Sequence, residues 1–581
     1  MVEELVRNGV DYFCISPGSR SSPLSMAVGF NVKASSHVHF DERGTAFHAL
    51  GYVAATKKPC VLISTSGTAV ANMLPAVIEA SKKKIPLIIL TADRPPEERM
   101  TGANQVIDQV KIFGEYVRWH FDIPCPTEEI KPEFILTTIN QAIFRARSNP
   151  PGPVHLNCMF REPLAPTKSN LNLEHYIRSI KRWLDDDKVY TQYVAPEPTI
   201  ATNDIEPIVE KINAIKSGII VVGKLGTQQD REGALKLAQA LNWPIFPDIS
   251  SGLRLGENNK NIISYFDQIL LSDHFAKHST VDGVIHLGGR ITSKRWYEYI
   301  DHHRPKEYLM VLNHPLRNDP THIVTTRLQT KVNLFCEAIV EKLSQRKENT
   351  FLSHLQNANK VVEETINNFL ETSSELFETP HELSEPEVAR LISQLIPKNT
   401  GLFLASSLPV REMDMYADFK GNAIEIGANR GASGIDGTIA SVCGFTVGLN
   451  KSVTLLIGDL AFLYDLNSLA MVKDLKKPLV IVVINNNGGG IFSFLPIAHS
   501  NKLFEKFFGT PHNLSFESAA KLFNLNYAQP KTKTEFKNFY QKAVSGKTST
   551  IIEVIANREQ NVAIHHDLQK KIAVALSEKF K

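Results

Sequence analysis

Short unbroken runs of Val, Ile and Leu, each ending in a turn rich in Gly, Asp, Asn or Ser, constrain this chain more than any other feature. Leu479 to Ile484 is apolar throughout and is followed by Asn485-Asn486-Asn487-Gly488-Gly489-Gly490. Leu455-Leu456-Ile457 runs in the same way into Gly458-Asp459. Apolar residues without alternation fit a strand buried on both faces, the condition of a parallel sheet covered by helices. In such sheets ligands gather outside the carboxyl ends of the strands. One carboxylate, Asp459, and one amide oxygen, from Asn486, converging there suit a hard divalent cation, and the glycines let a backbone carbonyl approach as a further ligand. A strand-end turn uses Gly and Asp in any case, so Gly458-Asp459 alone leaves a plain turn open. Residues 461 to 484 leave room for a crossover helix, read at Asp465 to Leu475, and for the next strand.

At 581 residues the chain exceeds one hydrophobic core, and domains of roughly 100 to 200 residues make three units the best division. The first unit, from Met1 to about Pro166, offers strands at Tyr12 to Ile15, Val61 to Ser64, Leu87 to Thr91 and Val154 to Asn157, with helical patterns between them. Ala165 to Thr199 mixes Pro, Asn, Lys and Asp with a short amphipathic stretch and reads as a linker. The second unit, Thr202 to Leu343, offers Gly218 to Val222, Pro244 to Phe246, Gly283 to Leu287 and Leu309 to Leu312. Ser344 to about Glu385 is polar and helix-forming, a second connection. The third unit opens at Glu387 and carries strands at Gly401 to Ala405, Val453 to Ile457, Leu479 to Ile484 and Ser549 to Val554. The expected fold is therefore α/β, with three doubly wound parallel-sheet domains at about 1–180, 195–345 and 380–581. Units one and three share an alternating plan.

Composition narrows the function classes. Net charge is +3 with both signs mixed along the chain, which gives no basic stripe for nucleic acid. The six cysteines, Cys14, Cys60, Cys125, Cys158, Cys336 and Cys443, contain no Cys-x-x-Cys and read as reduced, buried fillers. No run approaches the ~20 apolar residues that span a bilayer, and the amino terminus lacks a basic-then-apolar leader, so a cytoplasmic enzyme is expected. The chain opens almost directly on a helix, so residues preceding Met1 are an open expectation. No Gly-x-Ser-x-Gly elbow, Walker-type Gly-Lys-Thr or His-Glu-x-x-His occurs, and His565-His566 reads as structural.

Further polar clusters follow the strands. Ser16-Pro17-Gly18-Ser19-Arg20-Ser21-Ser22-Pro23 suits an anionic group that Arg20 grips bidentately, or is an ordinary Pro-Gly turn. In His39-Phe40-Asp41-Glu42-Arg43-Gly44-Thr45, Glu42 enters a helix whose other face is apolar; a glutamate there is either chemical or a helix-start group. Thr65-Ser66-Gly67-Thr68 repeats the strand, turn, helix pattern. Arg94, in Ala92-Asp93-Arg94-Pro95, and Asn104-Gln105 belong to one mouth, although a strand-end arginine alone is often a weak surface ion pair. The third unit adds Ser406-Ser407-Leu408-Pro409-Val410-Arg411 and Asn429-Arg430-Gly431-Ala432-Ser433-Gly434-Ile435-Asp436-Gly437, and the second adds Gly288-Gly289-Arg290-Ile291-Thr292-Ser293-Lys294-Arg295. Arg20, Arg94, Lys294, Arg295, Arg411 and Arg430 form an excess of strand-end cations that favours substrates with several carboxylates.

Gly458-Asp459-Leu460 closed by Asn485-Asn486 resembles the thiamin diphosphate signature, with Leu460 where glycine is common. Together with SPGSRSSPL, FDERGTAFHALG, TSGTAVAN, LTADRPPE, GANQ, HLNCMFREPL, NRGASGIDG, GDLAFLYDLN and INNNGGGIFSFLP, it makes almost the whole chain resemble one family of thiamin diphosphate enzymes. These are the 2-succinyl-5-enolpyruvyl-6-hydroxy-3-cyclohexene-1-carboxylate synthases of menaquinone and phylloquinone synthesis. The resemblance implies pyrimidine-binding, central and diphosphate-binding domains, and a homodimer or homotetramer with active sites between subunits. It implies the cofactors thiamin diphosphate and Mg2+ or Mn2+, and the substrates 2-oxoglutarate and isochorismate.

By position, the resemblance puts the catalytic Glu42 against the pyrimidine N1′, where it favours the imino form that removes the thiazolium C2 proton. Asp459, Asn486 and the Gly488 carbonyl would hold the metal, Ser433 would join the cofactor site, and Ile435 would support the bent cofactor. Ser407 and Arg411 would bind the distal carboxylate of 2-oxoglutarate, with Arg430 nearby. Ser19, Arg20, Arg94, Asn104, Gln105, Lys294 and Arg295 would receive isochorismate, with Phe492 and Leu495 as the apolar wall. Another thiamin-dependent 2-oxo acid decarboxylase or acetohydroxyacid synthase, an idle scaffold or sensor, and flavin use in the central unit are the rival readings.

Overall fold

The computed structural model describes residues 1–166, 173–272, 281–344, 350–372, 383–499 and 501–580. They fold into three parallel sheets, distributed over two compact units. The first unit is built from Met1–Pro196, Asn429–Lys451 and Ala461–Lys477, and the second from the remaining described residues.

The first unit holds β1 (Tyr12–Ile15), β2 (Ser35–Val38), β3 (Cys60–Ser64), β4 (Leu87–Asp93), β5 (His120–Ile123) and β6 (Val154–Met159) in the order β2-β1-β3-β4-β6-β5. The second unit holds β7 (Gly218–Val222), β8 (Ile245–Pro247), β9 (Gly283–Leu287), β10 (Glu307–Leu312) and β11 (Thr326–Gln329), ordered β11-β10-β9-β7-β8. It also holds β12 (Gly401–Leu404), β13 (Glu425–Ala428), β14 (Val453–Gly458), β15 (Leu479–Asn485), β16 (Asn526–Ala528) and β17 (Thr550–Ile555), ordered β13-β12-β14-β15-β17-β16. The first and third sheets thus run through their strands in the same sequence, which is the shared plan expected for units one and three.

Two-sided burial explains the unbroken apolar runs. Along β7 and β10, Ile219, Val221, Met310 and Leu312 enter one core, while Ile220, Val222, Leu309 and Val311 enter the other. With both faces dry, every position is apolar and the period-2 signal vanishes. The strands that the sequence reading passed over are β2, β5, β11, β13 and β16, and each lies at a sheet edge. Their residues are partly exposed, so neither a run nor a clean alternation marks them.

One expectation needs correction, and two connections carry structure of their own. The crossover helix read at Asp465 to Leu475 is instead an α-helix at Asp459–Tyr464 followed by a 3-10 stretch at Leu466–Asp474. Asp465 separates them because its carboxylate turns inward, accepting from the Ala440 backbone N–H at 3.0 Å and the Ser468 hydroxyl at 2.8 Å. The supposed connection from Ser344 contains the Thr350–Thr372 helix, whose Leu352, Leu355, Val362, Ile366 and Phe369 belong to the core beneath the second sheet. The supposed linker from Ala165 includes the short helix Glu174–Ile177, and its residues 167–172 lie outside the described residues.

In the first unit the Glu42–Thr56 helix packs against the Thr438–Leu449 helix at near backbone contact. A Cβ on Gly51 would overlap the Ser441 carbonyl oxygen, and one on Gly444 would overlap that of His48. Small residues at the crossing therefore set how Glu42's helix is seated.

Candidate active site

Within the second unit, β12, β14 and β15 are neighbours, so the turns after their carboxyl ends form one rim. Ser407 follows β12, Asp459 begins the helix after β14, and Asn486 and Gly488 follow β15. The Gly488 backbone N–H donates to Asp459 Oδ2 at 2.8 Å, and the Leu460 N–H donates to Oδ1 at 2.7 Å. Asp459 is 2% exposed; burial pushes its carboxyl above the ordinary carboxylate range, while the Gly488, His512 and Leu460 donors pull the other way. Gly488 has φ +133°, and a Cβ there would overlap the Gly509 carbonyl oxygen. Only glycine turns the chain this tightly beside Asp459.

The three asparagines after β15 have separate tasks. Asn485 donates to Glu553 at 2.6 Å and to the Leu514 carbonyl at 2.9 Å. Asn487, with φ +59°, accepts from the N–H groups of His512 and Asn513 at 2.9 and 2.8 Å. Asn486 donates to Glu385 at 2.9 Å, and its own Oδ1 is buried with no protein partner among the described residues. A buried amide oxygen left without a donor, beside a buried carboxylate and a glycine-shaped turn, fits an oxygen-seeking cation such as Mg2+ or Mn2+.

Sequence reasoning missed His512 and Glu385. The Leu514 N–H donates to His512 Nδ1 at 3.0 Å, so the ring proton sits on Nε2, which lies 3.1 Å from Asp459 Oδ2 and donates to it. His512 thereby fixes the carboxylate from behind. Glu385, in the first turn of the Glu385–Leu395 helix, is pushed up to about 8 by burial and by the neighbouring Glu412 carboxyl. Glu412 Oε1 lies 2.8 Å from His565 Nε2, and His565 Nδ1 meets the Tyr416 hydroxyl at 3.0 Å, which gives His565 the structural role expected of it. No local motif marked Glu385 or His512, because each reaches its partner across the fold.

Ser407 adopts φ +74°, a strained conformation for a residue with a side chain, and its carbonyl accepts from Arg411 Nη1 at 2.5 Å. Phe492 and Leu495 remain partly exposed, the former edge-on to Phe508. Around the second sheet, Arg295 pairs with Asp267, while Lys294 is largely exposed beside Glu298 at 3.0 Å.

In the first unit, Ser19 with Arg20, Glu42, Ser66 and Arg94 follow strands β1, β2, β3 and β4, which are adjacent in the sheet. Glu42 is half-buried at the first turn of its helix. Asp41 caps that helix through the Arg43 N–H at 2.9 Å, and Asn467 holds the other Asp41 oxygen at 2.6 Å. Glu42 is therefore spared the capping task. Arg20 is buried, donating to the Phe160 carbonyl at 2.8 Å and approaching Glu162 at 3.3 Å. The Ser19 carbonyl caps the next turn through the Ser22 N–H at 3.0 Å. Arg94 pairs with Glu98 at 2.9 Å. Gln105 donates to the Ser66 carbonyl at 2.9 Å with φ +59°, and Asn104 beside it is exposed. Gln109 was missed; it accepts the Gly67 N–H at 2.9 Å and donates to Asn157 at 2.9 Å, tying the turn after β3 to β6. The loop with Arg430, Ser433 and Ile435 is also in this unit, and Ile435 and Ser433 are exposed.

All six cysteines are free and buried. No helix among the described residues is long and apolar enough to cross a membrane.

Comparison with known proteins converges on one group. Three thiamine pyrophosphate enzyme families match in order: the N-terminal TPP binding domain over residues 1–112, the middle domain over 174–404 and the C-terminal TPP binding domain over 420–554. The 2-succinyl-5-enolpyruvyl-6-hydroxy-3-cyclohexene-1-carboxylate synthase of Rubrobacter xylanophilus is 44% identical, covering 99% of this chain and 97% of its own. The protein of the same name from Salinibacter ruber is 40% identical, covering 100% of this chain and 96% of its own. In fold, the chain is similar to benzoylformate decarboxylase from Polynucleobacter necessarius, with a TM-score of 0.71 at 15% identity over 96% of this chain and 97% of that one.

Proposed function

The chain belongs to the thiamin diphosphate-dependent 2-succinyl-5-enolpyruvyl-6-hydroxy-3-cyclohexene-1-carboxylate synthase family, and from that premise we propose how its residues divide the work. The enzyme is a transferase that decarboxylates 2-oxoglutarate and adds the remaining succinyl unit to isochorismate, releasing carbon dioxide. The observation that most supports the cofactor reading in this chain is the grouping of Asp459, the unpartnered Asn486 Oδ1 and Gly488 at the ends of β14 and β15.

Thiamin diphosphate, when bound, supplies the electron sink that lets a 2-oxo acid lose carbon dioxide. Asp459, Asn486 and the Gly488 carbonyl would hold Mg2+ or Mn2+ for it, and Ser433 would join that cofactor site. Glu42 would hold the proton at the cofactor's pyrimidine N1′, and Ile435 would lend the cofactor site an apolar side chain. A carboxylate spared from capping is free for that proton. Ser407 and Arg411 grip the distal carboxylate of 2-oxoglutarate with Arg430 nearby, and the strained positive φ of Ser407 just after β12 supports a functional role for it. Ser19, Arg20, Arg94, Asn104, Gln105, Lys294 and Arg295 receive isochorismate, for which Arg20, Arg94 and Arg295 exchange their present carboxylate partners. Phe492 and Leu495 keep water from the forming carbon-carbon bond.

The domains are pyrimidine-binding at about 1–180, central at 195–345 and diphosphate-binding at 380–581. The protein works in the cytoplasm as a homodimer or homotetramer, with Glu42 serving a cofactor held by a second protomer. A coupled assay tests the whole reading: carbon dioxide release and product mass are followed with 2-oxoglutarate, with and without isochorismate, and with pyruvate in its place. Acceptor-dependent product of the expected mass upholds it, and preferential turnover of pyruvate overturns it.

A further inference from the structure

We infer that Glu385 is a positioning residue of the metal site, orienting the Asn486 amide so that its oxygen faces the cation. The inference rests on the cofactor reading above and adds a residue to it. Asn486 is 7% exposed, so its amide has no bulk water to satisfy whichever end lacks a partner. Nδ2 donates to Glu385 Oε1 at 2.9 Å, and Oδ1 is the end left free. The two ends of an amide have nearly the same shape, so packing alone does not choose between them. A flipped amide would aim its N–H groups at the cation and remove an oxygen ligand. Glu385 opposes that, because the bond its Oε1 accepts from Nδ2 is lost when the amide turns over.

The surroundings leave room for the amide but do not fix its sense. A Cβ on Gly490 would approach Asn486 Nδ2 to 2.5 Å and Oδ1 to 3.3 Å, so the absence of a side chain there makes space for both ends. Glu385 itself is held on a helix capped by Ser384, whose hydroxyl accepts the Glu387 N–H at 3.3 Å. Asp459 likewise has a side-chain partner, His512, beside the Gly488 and Leu460 N–H donors. Partners of this kind are worth about 10- to 100-fold in metal affinity.

The test uses the full-length protein with thiamin diphosphate and reads Mn2+ affinity, from the paramagnetic signal of free Mn2+ and from calorimetry. Wild type is expected to bind Mn2+; failure to do so overturns the cofactor reading and this inference with it. Given wild-type binding, Glu385→Ala is expected to weaken Mn2+ by about 10- to 100-fold, and Glu385→Gln, whose amide can accept from Nδ2 but also donate to a flipped Oδ1, by a loss intermediate between wild type and Ala. Asn486→Asp presents an oxygen in either orientation, so adding it to Glu385→Ala is expected to recover most of the lost affinity. If Glu385→Ala does not fold, Glu385→Leu takes its place with the same expectations. Unchanged Mn2+ affinity in the Ala variant, equal losses in the Gln and Ala variants, or no recovery with Asn486→Asp would each overturn the inference while leaving the cofactor reading intact.

Discussion

Glu79 accepts the backbone N–H of Gly431 at 2.7 Å, across 352 positions of sequence, and its second carboxylate oxygen accepts the N–H of Ala432 at 2.5 Å. The carboxylate is 3% exposed and both oxygens are spent on one turn. That turn carries Arg430, Ser433 and Ile435, and Ser433 is itself at φ +61°. A buried anion on the Leu74–Lys83 helix thus sets the shape of a loop proposed to touch both cofactor and substrate.

Replacing Glu79 with Ala leaves two buried N–H groups without acceptors, at a cost of about 2 to 4 kcal/mol. Glu79→Gln keeps one acceptor and is expected to lose roughly half of that. Denaturant unfolding measures the stability change, and the KM for 2-oxoglutarate should rise in parallel. An unchanged KM in a destabilised Ala variant would separate the loop from substrate binding.

Glu42→Gln is expected to lower turnover by about 10²- to 10⁴-fold while thiamin diphosphate still binds, since the amide keeps a hydrogen bond but cannot move a proton. Calorimetric binding of the cofactor alongside the rate checks both halves. Near-normal turnover would remove Glu42 from the chemistry.

The Gly51 and Gly444 crossing predicts a steric failure without any chemical change. Gly444→Ala places a methyl group against the His48 carbonyl oxygen and must push the two helices apart. Overpacking of this kind costs about 1 to 3 kcal/mol, and the displaced Glu42 helix should lose activity at temperatures where the protein is still folded. A variant with wild-type melting temperature and rate would show that the crossing yields freely.

Acid should destabilise the fold through buried neutral histidines. His286 Nε2 donates to the Gly289 carbonyl at 2.9 Å and its Nδ1 receives the Tyr308 hydroxyl at 2.9 Å, so the neutral ring is fully satisfied. Burial pulls His286 down to about 4, and burial together with the neighbouring His39 pulls His37 down to about 4, both from an ordinary 6.5. Because the folded values lie below the unfolded one, the folded protein binds fewer protons in this window. The contribution of each ring is complete above about pH 6.5 and is lost as pH falls toward 4, up to roughly 3 kcal/mol per ring. Urea midpoints measured from pH 7.5 to 4.5 compare wild type with His286→Gln, whose midpoint should lose less than wild type as pH falls toward 4, because buried carboxyls of opposite sign such as Glu385 are common to both. A His286→Gln variant with the wild-type pH profile would contradict the assignment.

Interior strands were legible because two dry faces demand apolar residues at every position, as along Leu479–Asn485. Edge strands such as His120–Ile123 and Asn526–Ala528 were not, because water on one side relaxes that demand. Ser344 to Glu385 looked polar because an amphipathic helix shows its solvent face as plainly as its buried one. The proposed ligands Asp459, Asn486 and Gly488 stood out since strand ends and glycines announce themselves locally.

By itself, then, the order of residues determined three parallel sheets, the rim on which ligands meet, and the side chains able to bind a cation or an anion there. Tertiary structure alone decided which carboxyl oxygen faces the Asn486 amide, which imidazole nitrogen reaches Asp459, and which helix carries the anion under Gly431. Those pairings join residues 53 to 352 positions apart, and hydrogen bonds at such separations depend on the packing of whole elements. Local propensity and spacing fix the elements, while the close-packed interior chooses the partners.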